Sequence, residues 1–377
     1  LFPYTTLFRS QLLGVPIDKV GPPSSNDPIT RLGHARRAST FTRPETVPMK
    51  TFKRALTALA WAGMALASAT AARAEEIVVT HYGSLLYGLP YAIALEKGYF
   101  KEAGVDISGI LTSKGGGTSV RNMMAGETLF AEVALPAALA AIKEGFNIRI
   151  ISGGTDGPSS FWVTRPGEAI DKPEDLKGKR FVYSRPKSVS ESTTLALLKT
   201  FNLQAADVKM IAIGDFGAGL TALEHNKVDI AIIPEPIYSQ HMKDGKKYKM
   251  LSWFEGRLPA YTQTVGIATT DTLAKRGDKL RALLEARRKG VEFLYANPKE
   301  AAAILAKTYN LAPDVAASAL ANTLKISPQW WNRGDLQYPL MNAMTDALGA
   351  VGALTLPIDW KASTDDRFIP PAAKAKR

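Results

Sequence analysis

From residue 75 onward, short β-prone runs alternate with segments whose apolar residues recur at helical spacing. The run "EEIVVTHYG" predicts a strand over 77–82 that ends at Gly83. A helix follows over 89–97 and is stopped by Gly98, a common C-terminal glycine. A second strand is expected over 105–111, and "KGGGTSVRNMMAGE" then reads as a glycine-rich turn that opens a helix. "TLFAEVALPAALAAIKEG" reads as a strand, a helix start at Pro136, and a helix apolar on nearly all sides and therefore buried. "FNIRIISGG" closes the series as another strand.

The same order returns from Lys179. "KRFVYSRP" is a strand, "SVSESTTLALLKTFNL" a helix, "ADVKMIAIGD" a strand, "FGAGLTALEHNK" a glycine-opened helix, and "VDIAIIPEPIYSQH" a strand leading to Pro234 and Pro236. Strands that alternate with helices imply parallel pairing with right-handed crossovers. Two similar lobes, each with its own sheet, account for the repetition. The β-prone runs 160–164 and 259–270 connect the lobes as a two-strand hinge. After 270 the pattern is helical, and those helices have no sheet of their own, so they pack back on the first lobe. The predicted fold is α/β with two lobes, each a mostly parallel sheet flanked by helices. Lobe 1 is discontinuous, 75–160 plus 266–377, and lobe 2 spans 161–265.

The front of the chain reads differently. "FPYTTLFRS" resembles translated sequencing-adapter DNA, and 1–48 as a whole shows no sustained apolar period, so this stretch is expected not to be native. Residues 49–74 have the three-part layout of a cleaved secretory signal peptide: Lys50, Lys53 and Arg54, an apolar core, and Ala72-Arg73-Ala74. Translation is then expected to begin at Met49 and the mature chain at Glu75, soluble and periplasmic. This changes the charge. The whole chain carries 47 Lys+Arg against 35 Asp+Glu, whereas 75–377 keeps 37 against 32. A balance this mild does not call for nucleic acid. The absence of cysteine removes disulfides, thiol nucleophiles and cysteine metal sites.

The stretches "PYAIALEKGYFKEAGVDI", "GGGTSVRNMMAGE", "VDIAIIPEP" and "ANPKEAAAILAKTYNL" together resemble the periplasmic substrate-binding proteins of ABC importers in the nitrate/sulfonate/taurine group, which is related to the thiamine-pyrimidine binders. The resemblance spans 75 to about 370. It implies a two-lobe type II binding-protein fold, a small-molecule ligand between the lobes, a membrane permease as partner, and no cofactor. A monomer is expected.

Ligands of open α/β sheets sit beyond the carboxyl ends of the strands. That rule selects Tyr82, Ser84 and Tyr87, then Gly117, Thr118, Ser119 and Pro136, from lobe 1. Ser184, Ser188, Ser190, Asp215 and Glu235 come from lobe 2, with Trp162 as an aromatic wall. "KGGGTSV" and "SRPKSVSES" each lead into a helix N-terminus, where free N–H groups and hydroxyls favour an anion. Helix capping explains the same serines and threonines equally well. Asp215 and Glu235 would repel a bare anion and suit a ligand with ring N–H or amine donors, unless they only serve their own helices. Trp330 and Trp331 read as packing residues. His81, His225 and His241 have no metal-ligand spacing, and no Gly-x-Ser-x-Gly elbow occurs, so no catalytic or metal residues are assigned. A receptor for a small sulfonate-, nitrate- or taurine-like solute is the first reading. A heteroaromatic receptor is the second, and a pyrimidine-synthase-like enzyme on the same fold is the alternative of another class.

Overall fold

A computed structural model describes residues 75–126 and 128–374. The expected signal segment, 49–74, and the stretch 1–48 lie outside the described residues. The strands are β1 (Glu75–Thr80), β2 (Ile107–Ser113), β3 (Phe130–Ala134), β4 (Ile148–Asp156) and β5 (Ser160–Thr164). They continue as β6 (Arg180–Tyr183), β7 (Lys209–Ala212), β8 (Ile230–Pro234), β9 (Lys249–Met250) and β10 (Thr262–Thr269). They form two five-stranded sheets, ordered β2-β1-β3-β10-β4 and β7-β6-β8-β5-β9.

The repeated plan is visible in these orders. In each sheet a central strand pairs in parallel with two neighbours, as Ile77 does with Ile110 and Phe130, and Phe181 with Met210 and Ile230. The fourth place is taken by an antiparallel strand that has just crossed from the other sheet: β10 beside β3 and β5 beside β8. Each sheet is therefore mixed, with four strands running one way, as expected of a mostly parallel sheet, and the crossing strand running against them.

Helices cover the sheets: α1 (Leu89–Glu96), α2 (Gly116–Gly126), α3 (Leu135–Lys143), α4 (Val189–Thr200), α5 (Phe216–Glu224) and α6 (Ile237–Lys243). The C-terminal part supplies α7 (Gly277–Ala296), α8 (Pro298–Tyr309), α9 (Pro313–Ile326) and α10 (Tyr338–Ala350). Helices α7 and α8 pack on α1, beside the first sheet. Helix α9 also meets α6, and α10 also meets α4, so the C-terminal helices span both bodies.

Period-two alternation sorts the β5 side chains. Trp162 enters the main apolar core, while Phe161 and Val163 join a smaller cluster with Val182, Leu220 and Ile233. The first body also encloses an ion pair. Arg287 Nε lies 3.2 Å from Glu132, and both side chains are essentially inaccessible. Glu132 accepts from the Tyr91 hydroxyl at 2.7 Å and from Thr264 at 2.8 Å. Arg287 donates to the carbonyls of Asn332 and Gly154 at 2.6 and 2.7 Å. These bonds satisfy a buried charge pair that would otherwise be costly, and they tie α7, β3, β10 and the 332 loop together.

Candidate functional site

The carboxyl ends of β1, β6 and β8 meet at one small cavity. It leaves about 10 Å³ for the centre of a water molecule, room for a single water. His81 and Tyr87 reach it from the first body, and Ser184, Ser190 and Phe216 from the second. Ser160, at the hinge, closes the ring.

His81 follows β1 in a left-handed turn, with φ 55°. Its N–H donates to the Ser113 carbonyl at 2.9 Å, and its own carbonyl accepts from Leu85 at 2.9 Å, which folds the chain back and turns the imidazole into the cleft. The ring stands 5.9 Å from that of Phe216. Burial, helped by the nearby positive charges of Lys114 and Arg185, lowers its pKa to about 4. At neutral pH it is an uncharged imidazole.

The second body contributes a serine cluster. Ser190 Oγ accepts from the Ser184 N–H at 2.9 Å and lies 2.8 Å from Ser184 Oγ and 3.0 Å from Ser188 Oγ. Ser188 caps α4, accepting from Glu191 N–H at 3.2 Å. Ser190 is thus engaged on all sides and positions the loop. Ser184, whose hydroxyl meets only Ser190, keeps capacity for a guest.

The two bodies are in contact around this cavity. The Arg185 side chain covers Gly115, where an added Cβ would sit 3.3 Å from Arg185 Cδ. On Gly116 it would come within 2.7 Å of the Lys187 carbonyl oxygen. Lys187 also pairs with Glu144 at 2.6 Å, and Lys114 stands 3.9 Å from Asp215.

Comparison with known proteins fits this geometry. Residues 87–301 match the family model described as NMT1/THI5 like. The chain belongs to the NMT1/THI5-like family. No curated protein sequence matches it. Among solved structures, the alkanesulfonate-binding protein SsuA from Xanthomonas axonopodis pv. citri bound to MOPS is similar, with 16% identity, a TM-score of 0.62, and coverage of 78% of this chain and 98% of that one. The periplasmic aliphatic sulphonate binding protein SsuA from Escherichia coli has 15% identity, a TM-score of 0.61, and coverage of 78% and 92%. The periplasmic nitrate-binding protein NrtA from Synechocystis PCC 6803 has 13% identity, a TM-score of 0.54, and coverage of 65% and 69%. The fold is that of these periplasmic binding proteins.

In this NMT1/THI5-like chain the residues selected from the sequence separate into groups. Tyr87, Ser184 and Ser190 line the cavity, with Ser188 directly behind them. The α2 group surrounds it without lining it. Ser119 is buried against Ser113 and the Gly115 carbonyl, Thr118 accepts from Arg121 at 3.3 Å, and Gly117 is half-buried. Pro136 is buried in the first turn of α3. Tyr82 packs edge-on against Tyr309, 5.7 Å away, and burial raises its pKa to about 12. Ser84 is exposed and donates to the His81 carbonyl at 3.0 Å.

Trp162 stands in the core of the second body, where its Nε1 donates to Thr194 at 3.1 Å and its ring meets Phe254 edge-on. Asp215 caps α5, accepting from Ala218 N–H at 2.9 Å. Glu235 is buried, accepting from Ser239 N–H at 3.1 Å and from Asn322 Nδ2 at 2.7 Å. Burial raises the Glu235 pKa against the opposing pull of those bonds. Both carboxylates are engaged by their own helix starts. Trp330 stacks on Tyr87 at 5.3 Å, and Trp331 Nε1 donates to the Leu86 carbonyl at 3.0 Å, so both pack beneath the site.

His81 and Ser160 are lining residues that were not selected from the sequence, whereas Phe216 falls within the stretch 215–217 that the strand-end rule picks out. Alternation on a strand lets only one of His81 and Tyr82 point to a given face, and the left-handed turn at His81 decides between them. Ser160 was within reach of the strand-end rule, since it pairs with Pro234 at the carboxyl end of β8.

Proposed function

We propose that this protein is a soluble periplasmic receptor that closes two lobes around a small organic oxyanion, such as a sulfonate, and delivers it to an ABC permease. One observation carries this reading: a neutral imidazole, a hinge serine and a serine cluster converge from both bodies on a single cavity, with Lys114 and Arg185 close by. Ser160 and Ser184 are the hydroxyl donors with capacity to spare. Lys114 and Arg185 supply positive potential without a buried charge. Entry, and room for a guest larger than water, require the 115–116 and 185–187 segments to part, and a guest that touches both bodies favours a form closed around it. The signal-peptide layout of 49–74 and the binding-protein fold support export and the permease as partner. The division into lobes at about 160 and 266 follows the two crossing connections.

A second reading has its own observation. Phe216, Tyr87 and the uncharged His81 ring present aromatic faces to the cavity, which favours a heteroaromatic guest. A thermal-shift screen with ethanesulfonate, nitrate and a pyrimidine separates the two. Ethanesulfonate at about 100 times its dissociation constant should add roughly 2.7 kcal/mol of stability. Stabilisation by the pyrimidine alone would replace the oxyanion with the ring, and recovery of a chemically altered ligand with turnover would replace the receptor with an enzyme.

A further inference from the structure

A second and larger cavity opens beside the cleft. It offers about 1170 Å³ by the same measure and shares Ser160 with the cleft cavity. Its walls are the two hinge connections, around Asp156–Pro158 and Glu255–Ala260, and the segment from Asn322 to Leu340. Both bodies contribute. Pro158, Ile326, Trp331 and Leu340 come from one side, and Phe161, Tyr238, Met250 and Phe254 from the other. The rings of Phe161 and Tyr238 lie 4.5 Å apart.

The charged groups are unevenly placed. Asp335 is buried and Asp156 half-buried, whereas Lys325 and Glu255 are exposed. The remaining cation, Arg333, donates to Gln329 Oε1 at 2.8 Å and lies over the Tyr295 ring at 5.2 Å. Asp156 accepts from Thr262 Oγ1 at 2.8 Å and from Asn332 Nδ2 at 2.7 Å, so its orientation is held. The sheltered charge of this cavity is negative and its walls are largely apolar and aromatic.

We propose that this hinge cavity is a second ligand site, separate from the cleft, and that it takes an apolar organic monocation such as an arylalkylammonium. The apolar body lies among Phe161, Tyr238, Phe254 and Leu340, and the ammonium faces Asp156 and Asp335. Aromatic faces and sheltered carboxylates attract the same charge. Burial raises the Asp156 pKa to about 6, against the opposing pull of the Asn332 and Thr262 hydrogen bonds and of the buried Arg287 charge, with Asp335 adding the smallest share, and a bound cation relieves the burial penalty.

The test is isothermal titration of the purified protein at pH 7.5 with three probes that share one body: 4-phenylbutylamine, 4-phenylbutanol and 4-phenylbutyrate. The amine should bind more tightly than either of the others by about tenfold or more. Asp156→Asn should bring the amine to the level of the alcohol. Leu340→Trp, which fills the cavity from a half-exposed position, should abolish binding of the amine while the melting curve stays cooperative. Ser184→Ala, in the cleft, should leave the amine affinity unchanged. The proposal is overturned if the butyrate binds as well as the amine, if the amine does not bind, or if Leu340→Trp binds it normally.

Discussion

Two cavities share one hinge serine and have opposite chemistry. The cleft is small and surrounded by hydroxyls, with an imidazole that burial, helped by nearby cations, holds neutral. The hinge cavity is over a hundred times larger by volume, apolar and aromatic, with carboxylates as its sheltered charge. The difference teaches where each guest gains its energy. In the cleft, closure brings a few directional donors onto one polar group, whereas in the hinge cavity removal of apolar surface from water dominates. Ser160 belongs to both, so changes to its neighbours should separate the two sites cleanly.

The largest expected effect comes from removing the two spare hydroxyls together. Ser160→Ala/Ser184→Ala should weaken an oxyanion by about 100-fold or more, at ~1.5–3 kcal/mol for each hydrogen bond to a charged group. The same variant should weaken 4-phenylbutylamine far less, because Ser184 lies outside the hinge cavity and only the Ser160 hydroxyl is lost there. Titration calorimetry with both probes measures the contrast. Equal losses at the two sites would erase the distinction between them.

The next effect is pH dependence, which should run in opposite directions at the two sites. His81 has a folded pKa of about 4 against an ordinary 6.5, so its neutral form is the one folding favours. Its contribution is fully present above pH 6.5 and is lost as pH falls toward 4. A shift of this size corresponds to a contribution on the order of 3 kcal/mol. Asp156 is raised from 3.8 to about 6, so its ionised form is the one folding penalises. Its contribution is present below pH 3.8 and is lost as pH rises through 6. Because Asp156 keeps partial solvent access and its Asn332 and Thr262 bonds favour the ionised form, its share stays below that of His81. Urea melts of His81→Gln should show a flatter loss of stability from pH 6.5 down to 4 than the parent. Melts of Asp156→Asn should show a steeper one across the same range. Identical slopes in all three proteins would mean that neither cavity controls its group's charge.

The contrast between the sites also marks what the sequence could show. The strand 160–164 and the repeated βα order were legible because each rests on local periodicity, and β5 runs over Ser160–Thr164. The serines at the start of α4 were legible because strand ends and helix starts are marked by local residue types. Trp162 was not, since alternation says only that 161 and 162 face opposite ways, and the packing of β5 decides which side is core. The antiparallel place of β10 between β3 and β4 was hidden as well, because partner choice is a tertiary event. The hinge cavity left no local trace. Its walls come from stretches near 156–161, 238–260 and 322–340, which only the folded hinge assembles.

The smallest effect tests closure itself. Lys187 and Glu144 bridge the two bodies at 2.6 Å, but about half of each side chain is open to solvent. An exposed pair of this kind contributes about 0.2–1 kcal/mol and weakens with salt. Lys187→Ala should therefore weaken an oxyanion by no more than about fivefold at low salt, with most of that loss gone near 0.5 M salt. The loss should appear mainly in the dissociation rate, because the bridge exists only in the closed form and must break before the guest leaves. The hinge cavity holds no part of this bridge, so the amine should not sense the substitution at any salt concentration. Stopped-flow dissociation of the oxyanion, read beside amine titrations on the same variant, decides the matter. A dissociation rate unchanged at low salt would show that the Lys187–Glu144 contact does not latch the cleft.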